Sequence, residues 1–395
     1  MTTAPSAYRR DLLAILALAS APAIALGLSR FAYALVLPDM RTSLAWGYAE
    51  AGGMNALNAL GYLVGAAGAV PAMARLGAFR TAVLGAAVCV VSLGACVIVE
   101  AYAPLGVARL AAGIGGGLAF VAGGVLATGI AQRHPQHSAF LVGLFYAGVG
   151  FGILVTGLVL PPLLAAGGPG SWHRAWLALT LLALLMTLLL LAGRQEAATD
   201  QAGGSGSAAL LPMLALLAAY LIFGAGYIAY MTFMIAWVQN LGEGAGAQTL
   251  FWSAIGLGAM AFPWTWSFAL KRLKHGFAFA LLTGLSALAA ALPLLSGARP
   301  LLLLSGALFG STLLAVVTST TVFVRRNLPA AQWPAGIGAM TVAFSIGQTA
   351  GPLVTGLVTD QGGGLAGGFW VSVGVLIVAV GVGATQRDIG HAPEV

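Results

Sequence analysis

The chain consists of long apolar stretches separated by short polar ones. Runs of about 20 apolar residues, the length that crosses a bilayer as a helix, recur along the 395 residues. The predicted spans are 12–37, 48–72, 80–99, 104–131, 139–165, 172–193, 210–240, 248–270, 276–296, 299–323, 334–358 and 365–385. Because these runs are continuous and not short segments of alternating hydrophobicity, they favour helices over a membrane β-barrel. The pattern predicts an all-α membrane protein with twelve transmembrane helices.

Composition supports this class, since 60% of the residues are hydrophobic and only 7% are charged. Soluble globular domains are far more polar. In lipid, every backbone polar group must be paired within a helix or a closed barrel. The lipid bilayer is therefore the predicted surroundings of most of the chain.

The basic residues predict the orientation, because cytoplasmic loops near helix ends hold more Lys and Arg than outer loops. Of the 17 basic residues, two lie within spans and three, Arg41, Arg174 and Arg299, would lie outside. The remaining twelve would then be cytoplasmic. We predict a multi-pass membrane protein with both termini in the cytoplasm. This asymmetry also accounts for the net charge of +7 without a nucleic-acid partner.

One stretch occurs twice. "GVGFGILVTGLV" at 148–159 returns as "GQTAGPLVTGLV" at 347–358, with a shift of 199 positions. The copies fall in the fifth and eleventh spans, so the repeat unit is six helices. A Gly/Ser-rich segment, "RQEAATDQAGGSGSAA" at 194–209, separates the halves and is typical of a flexible linker. We predict two pseudo-symmetric six-helix bundles, 1–193 and 210–395, joined by this cytoplasmic linker.

Several motifs resemble the major facilitator superfamily over nearly the whole chain. "RLAAGIGGG" at 109–117 is similar to its fourth-helix signature, and "MARLGAFR" at 73–80 to the signature between helices two and three. "GLSRFAYALVLPDM" at 27–40 is similar to the YbfB/YjiJ-type bacterial branch. Two signature positions differ, because Ala112 replaces the usual Gln and Ala74 the usual acid. The resemblance implies the major facilitator fold, with helices one, four, seven and ten lining a central cavity.

The resemblance also implies that helices two, five, eight and eleven form the contact between bundles. Glycines spaced four apart share one helical face and let backbones approach closely. We therefore expect a glycine-lined bundle interface, which either slides between states or packs statically. Its predicted members are Gly148, Gly152, Gly347, Gly351, Gly61 and Gly65.

Two arginines, Arg30 and Arg109, lie within spans at a similar depth, whereas none of the ten acidic residues lies deep in a span. An ionisable group at membrane depth normally faces a cavity or a partner. The guanidinium fork matches a carboxylate or phosphate, so we expect both arginines to face one cavity that binds an organic anion. Alternatively, Arg30 reaches Asp39 or Glu50, and Arg109 pairs with Glu100 or caps backbone carbonyls.

Further candidate contacts surround these arginines. Tyr33 lies one turn from the first arginine, and Tyr227 and Tyr230 occupy the matching part of the second half. A tyrosine offers a ring face and a hydroxyl to an organic solute. The amides of Asn58 and Gln348, on helices two and eleven, either join the cavity wall or bond across helices.

The sequence gives less information about the energy source. The five histidines lie in loops or the tail, and Glu50 is the acid nearest the membrane that we nominate for proton coupling. Proton co-transport on the substrate, anion exchange and facilitated diffusion stay open. No GxxxxGK[ST] motif for ATP hydrolysis occurs. We expect no cofactor and no metal.

These features predict a secondary active transporter that moves a small organic solute, most simply an anion, by alternating access. We expect it to act as a monomer. Its partners would be the substrate and, if transport is proton-coupled, protons. The alternative is an efflux pump for amphipathic or cationic compounds. An enzyme is not expected, because no nucleophile can be assembled with a base or a metal.

Overall fold

The structure, a computed structural model, describes residues 5–193 and 210–389. Twelve long helices follow one another in this part of the chain, one in each predicted span. They are α1 Ala7–Ser43, α2 Tyr48–Leu76, α3 Ala78–Ile98, α4 Tyr102–Gln132, α5 Ser138–Gly167, α6 Trp172–Ala192, α7 Leu214–Asn240, α8 Ala245–Thr265, α9 Phe277–Leu295, α10 Arg299–Asn327, α11 Trp333–Val358 and α12 Gly364–Thr385. The predicted linker at 194–209 lies outside the described residues.

Ten helical stretches of the described chain are long and apolar enough to cross a membrane. The number is below twelve because α11 and α12 run on as one stretch, Trp333–Thr385, and because α8 carries polar residues such as Gln248. The prediction of a twelve-helix membrane protein is confirmed. Below, the first bundle is α1–α6 and the second is α7–α12. The distal end is the one opposite the start of α1 and the end of α12.

The first helix contains a wide segment that positions a charged residue. Pro22 lacks a backbone N–H and interrupts the α-helical ladder. The nine residues Ala23–Phe31 then form a π-helix, in which the Ala32 amide donates to the carbonyl of Gly27 at 3.0 Å. Such π segments are rare and often lie at functional sites. This one carries Arg30, and all nine residues are buried.

The glycines of the first copy of the repeat pack α5 against α1. A Cβ added at Gly148 would overlap the carbonyl of Ala19, and one at Gly152 would lie 2.7 Å from the carbonyl oxygen of Ala23. Both neighbours belong to the same bundle. The prediction that these two glycines form the contact between bundles is therefore wrong.

The second copy repeats this arrangement between α11 and α7. A Cβ at Gly347 would overlap the carbonyl of Leu221, and one at Gly351 would overlap that of Ala225. The bundles thus share one packing rule, which is the physical reason that these two glycines recur. As in the first copy, the prediction of a bundle interface at these positions is wrong.

The third predicted pair also packs within one bundle. Gly61 and Gly65 of α2 face the backbone of α4 at Leu110 and Ile114, where a Cβ would overlap a carbonyl. Close backbone approach through small residues is the usual way in which membrane helices associate. Gly61 and Gly65 therefore support the first bundle and do not line the interface, contrary to the prediction.

The bundle interface does use a repeated glycine, the last one of each copy. A Cβ at Gly157 of α5 would lie 2.9 Å from Cδ1 of Trp252 on α8. Its counterpart Gly356 of α11 lies against α2, where a Cβ would be 2.5 Å from the carbonyl oxygen of Tyr48. Each copy of the motif thus serves two faces of its helix, one toward its own bundle and one toward the other.

The bundles meet along two lines of contact, the α5–α8 seam and the α2–α11 seam, which differ along their length. The α5–α8 seam continues through Gly150, where a Cβ would lie 2.5 Å from the Gly256 carbonyl oxygen, to Gly143 and Pro263 near the other end. The α2–α11 seam is close at the distal end. Further from that end, Tyr62 of α2 and Phe344 of α11 are half-buried.

Candidate substrate-binding site

A hydrogen bond between the bundles marks the centre of the candidate site. Arg30 of α1 is 2% exposed, and its Nη2 donates to Oε1 of Gln348 on α11 at 2.7 Å. The hydroxyl of Tyr227 on α7 donates to the same oxygen at 3.0 Å. The structure therefore brings together three of the predicted site residues, which come from three helices and both bundles.

Three further side chains complete this site. The Tyr62 ring centre lies 5.8 Å from Cζ of Arg30, within the usual range of a cation–π contact. The Phe344 ring stacks on Tyr227 with centroids 5.3 Å apart, and Ser345 Oγ lies 3.5 Å from Nε2 of Gln348. These three residues are not among those predicted from the sequence. Phe344 and Ser345 lie one helical turn before the predicted Gln348, so the i, i+4 and i, i+3 spacing could have identified them.

The charge of Arg30 has a neutral partner. Its Nε is buried without a hydrogen bond, although a guanidinium has five N–H donors. Among residues 5–193 and 210–389, neither Arg30 nor Arg109 forms a salt bridge. The alternative in which these arginines pair with acidic residues is therefore not what the structure shows.

Arg109 lies in a separate place, inside the first bundle. It is 1% exposed, and its Nη1 donates to the backbone carbonyl of Ser29 at 2.6 Å. Its Cζ lies 4.9 Å from the Tyr33 ring and 5.4 Å from the Trp176 ring. The expectation that both guanidinium groups face one cavity is wrong, because Arg109 turns toward α1 and α6. Tyr33 belongs with it and not with Arg30.

Two other predicted contacts also lie within single bundles. Tyr230 exchanges a hydrogen bond with Ser305 Oγ at 2.6 Å, and its ring stacks on Phe309 at 4.0 Å, so it packs against α10. Asn58 Nδ2 donates to the backbone carbonyl of Arg109 at 3.1 Å, which ties α2 to α4. The prediction that Tyr230 and Asn58 contact substrate therefore has no support in their positions.

Glu50, the predicted coupling residue, has a structural role at the distal end. Its carboxylate accepts a hydrogen bond from the Gly47 amide at 2.9 Å, as in a helix capping arrangement. Its backbone carbonyl accepts one from the Tyr102 hydroxyl at 3.2 Å. Helix capping accounts for an exposed acid at this position, which lies several turns from Arg30 along the helices.

No cluster of three or more His, Cys, Asp or Glu side chains that could hold a metal occurs within the described ranges. Cys89 and Cys96 are free and buried. The site itself offers one cation, one amide, hydroxyls and aromatic rings, which are groups suited to binding an organic solute.

Solved structures of two membrane transporters share this architecture. A mutant form of the nucleoside transporter NupG matches with a TM-score of 0.74 and 14% identity, over 95% of this chain and 99% of that one. The D-xylose-proton symporter matches with a TM-score of 0.71 and 15% identity, over 95% of this chain and 97% of that one. At such identities the likeness shows the fold alone. The protein is thus a polytopic helical membrane protein with the major facilitator fold.

The family is given by the sequence match. Residues 22–384 match the family described as "Uncharacterised MFS-type transporter YbfB". Because the match covers most of the chain, the protein belongs to this family of major facilitator transporters. No curated protein matches the chain.

Proposed function

We propose that the protein is a secondary active transporter that moves a small organic anion across the bacterial inner membrane. The observation that carries this proposal is the Arg30–Gln348 bond, in which a buried cation between the bundles has a neutral acceptor. A charged group is costly at membrane depth and is usually kept there for a function. A substrate carboxylate that displaced the Gln348 oxygen would give Arg30 a charged partner.

The energetic difference favours this exchange. The Arg30–Gln348 bond has one charged partner, whereas a bond from Arg30 to a carboxylate has two, so a carboxylate adds the attraction between opposite charges. The guanidinium fork can hold both oxygens of a carboxylate, and Nε of Arg30 is free for a second bond. Tyr62 and Phe344 place aromatic surface beside the charge. The site is therefore suited to a carboxylate with an apolar or aromatic body.

The bundle contacts support alternating access. The α2–α11 seam is close at the distal end, whereas Tyr62 and Phe344 nearer the other end are half-buried. Because the three site residues are themselves buried, this is the arrangement expected of an occluded site whose more tightly closed side is the distal end and whose other side is the end that holds both termini. The excess of basic residues assigns that end to the cytoplasm. The bundle limits 1–193 and 210–395, the linker 194–209 and action as a monomer belong to the same proposal.

The contact among Arg30, Gln348 and Tyr227 contains no carboxylic acid and no imidazole. A coupling proton would therefore travel on the substrate, or bind at Glu50 away from the site. The fold is shared with a D-xylose-proton symporter, which makes proton coupling compatible with this architecture.

Matched ligands test the substrate class. The melting temperature of the purified protein is measured with benzoate, benzamide and benzylammonium, and then with further carboxylates, each beside its amide and its amine. The proposal predicts stabilisation by carboxylates and not by their isosteres, because only a carboxylate offers a charge to Arg30. Stabilisation by amines alone would overturn it and favour the efflux of cationic compounds.

A further inference from the structure

One carboxylate of the second bundle binds the end of a helix in the first. Asp360 lies in Thr359–Gly363, the short connection between α11 and α12, where the backbone leaves the helical conformation at Gln361 and Gly362. Its Oδ1 accepts a hydrogen bond from the Tyr48 amide at 2.9 Å, and its Oδ2 accepts one from the Ala49 amide at 2.8 Å. These amides form the first turn of α2.

The start of α2 favours such a partner. The first amides of a helix have no acceptor within the helix, and the helix dipole makes this end positive. The residue before the helix is Gly47, which has no side chain to act as a cap, and its own amide is bound by Glu50. Asp360 therefore supplies from the other bundle the cap that α2 lacks, through two charge-assisted hydrogen bonds.

Around Asp360, α2 and α11 approach each other too closely for side chains to fit between their backbones. We call Tyr48 and Gly52 of α2 together with Pro352, Gly356 and Asp360 of the second bundle the distal seam. A Cβ at Gly52 would overlap the Pro352 carbonyl, and one at Gly356 would lie 2.5 Å from the Tyr48 carbonyl oxygen. Residues 352, 356 and 360 are four positions apart, which is the spacing of residues on one helical face. Separation of α2 from α11 at this end must break both bonds to Asp360.

The repeat makes Asp360 an asymmetric feature. The matching position in the first bundle, 199 residues earlier, is Pro161, which has no carboxylate. On the α5–α8 seam the distal contact is instead the hydrogen bond from Trp252 Nε1 to Thr156 Oγ1 at 3.2 Å. The contact made by the Asp360 carboxylate thus belongs to the α2–α11 seam, which is close at the distal end.

We propose that Asp360 is a gating residue of the transport cycle, which holds the distal end closed while the Arg30 site opens to the other end. This proposal rests on the alternating access proposed above. The two hydrogen bonds to α2 form when the distal seam closes and are released when it opens. Loss of the carboxylate charge therefore shifts the population toward the distally open state.

The same chain contains a matched control. Asp39 lies at the same end and accepts hydrogen bonds from the amides of Gly170 at 2.9 Å and Trp172 at 2.8 Å, at the start of α6. All of these residues belong to the first bundle. Asp39 therefore makes the same kind of cap without joining the bundles, and its loss changes helix stability but not gating.

Distances between spin labels measure the gate. Labels are attached to Ala166→Cys in the first bundle and Ala298→Cys in the second, both exposed near the distal end, in a protein whose buried Cys89 and Cys96 are replaced by Ala. Asp360→Asn is expected to raise the ratio of the long to the short distance population by about tenfold or more, as loss of one charged hydrogen bond implies. Asp39→Asn is expected to match the unsubstituted protein. Equal distributions for both variants would overturn the proposal.

Two further variants separate the possible failures. Gly356→Leu forces the distal seam apart by volume, so it opens the distal end whether or not Asp360 acts as a gate. If Gly356→Leu lengthens the distance and Asp360→Asn does not, the gating role is wrong and alternating access stands. If neither variant changes the distance, alternating access itself is contradicted. Size-exclusion profiles establish that each variant is folded.

A backbone variant tests the same contact from α2. Tyr48→Pro removes one of the two amide donors, and proline is tolerated at the first position of a helix. Gly47 already has the extended conformation that precedes proline readily. Tyr48→Ala loses the ring but keeps the donor. We expect Tyr48→Pro to open the distal end more than Tyr48→Ala, and the reverse order would contradict the proposal even if Asp360→Asn failed to fold.

Discussion

Replacement of Arg30 by Gln tests the candidate site with little disturbance of the fold. In the variant, Oε1 of Gln348 keeps the hydrogen bond from Tyr227 at 3.0 Å, so no buried acceptor loses its last partner. Removal of one hydrogen bond from a charged donor costs about 1.5–3 kcal/mol, and removal of a buried charge at membrane depth offsets that loss. We expect a melting temperature close to that of the unsubstituted protein.

The effect on binding is expected to be large. A charged hydrogen bond to the substrate carboxylate contributes about 1.5–3 kcal/mol, which corresponds to an apparent Kd about 10- to 150-fold weaker. The assay is a thermal-shift titration with benzoate, or with the most effective carboxylate of the ligand panel, analysed for affinity and for the melting temperature without ligand. Unchanged affinity for Arg30→Gln would refute the reasoning.

Arg109→Gln is the matched control, since both arginines are buried and lie on spans of the first bundle. Arg109 donates to the Ser29 carbonyl and faces two aromatic rings. Each cation–π contact contributes about 0.5–2 kcal/mol, so this variant is expected to lose stability and keep its affinity. Equal loss of affinity in both variants would mean that Arg109 also contacts the ligand, contrary to its position.

Three further predictions follow from the same contacts. Gln348→Glu supplies a fixed carboxylate to the arginine of the site, so we expect a higher melting temperature and loss of stabilisation by added carboxylates; a retained response would contradict the site. Tyr227→Phe is expected to weaken carboxylate binding. Tyr230→Phe is expected to lower the melting temperature with unchanged affinity, because the Tyr230 hydroxyl bonds a serine of α10. Titrations in which Tyr230→Phe weakens binding and Tyr227→Phe does not would contradict this assignment. Gly347→Ala is expected to reduce the yield of folded protein in size-exclusion profiles, because its Cβ would overlap α7. The control Gly374→Ala places its Cβ in open space and is expected to leave the yield unchanged. Equal yields for the two variants would contradict the packing of Gly347 against α7.

The helices could be predicted from the sequence because the bilayer fixes their length. Apolar runs of about 20 residues are sufficient to locate spans, and the observed starts of α2 and α6, Tyr48 and Trp172, are those predicted. The helix rotations could not be predicted in this way. Long parts of α1 and α7 are buried on every side, so their apolar pattern does not distinguish a face toward the cavity from a face toward the bundle.

This ambiguity explains both the successes and the errors at the site. The residue types were informative, since a buried arginine, an amide and a tyrosine do meet at Arg30, Gln348 and Tyr227. Which of these residues contact each other could not be predicted, because 318 positions separate Arg30 from Gln348 along the chain. Arg109 has a similar depth but turns into its own bundle. For the same reason Gly148 and Gly157, on one helix, serve different neighbours, which spacing alone does not reveal.

The most direct test of the central claim is an experimental structure of the protein with the carboxylate that stabilises it most. We predict density for the carboxylate at about 3 Å from the guanidinium of Arg30, between the bundles, with the side chain of Gln348 displaced from its present bond. Ligand density away from Arg30, with the Arg30–Gln348 bond intact, would contradict the account.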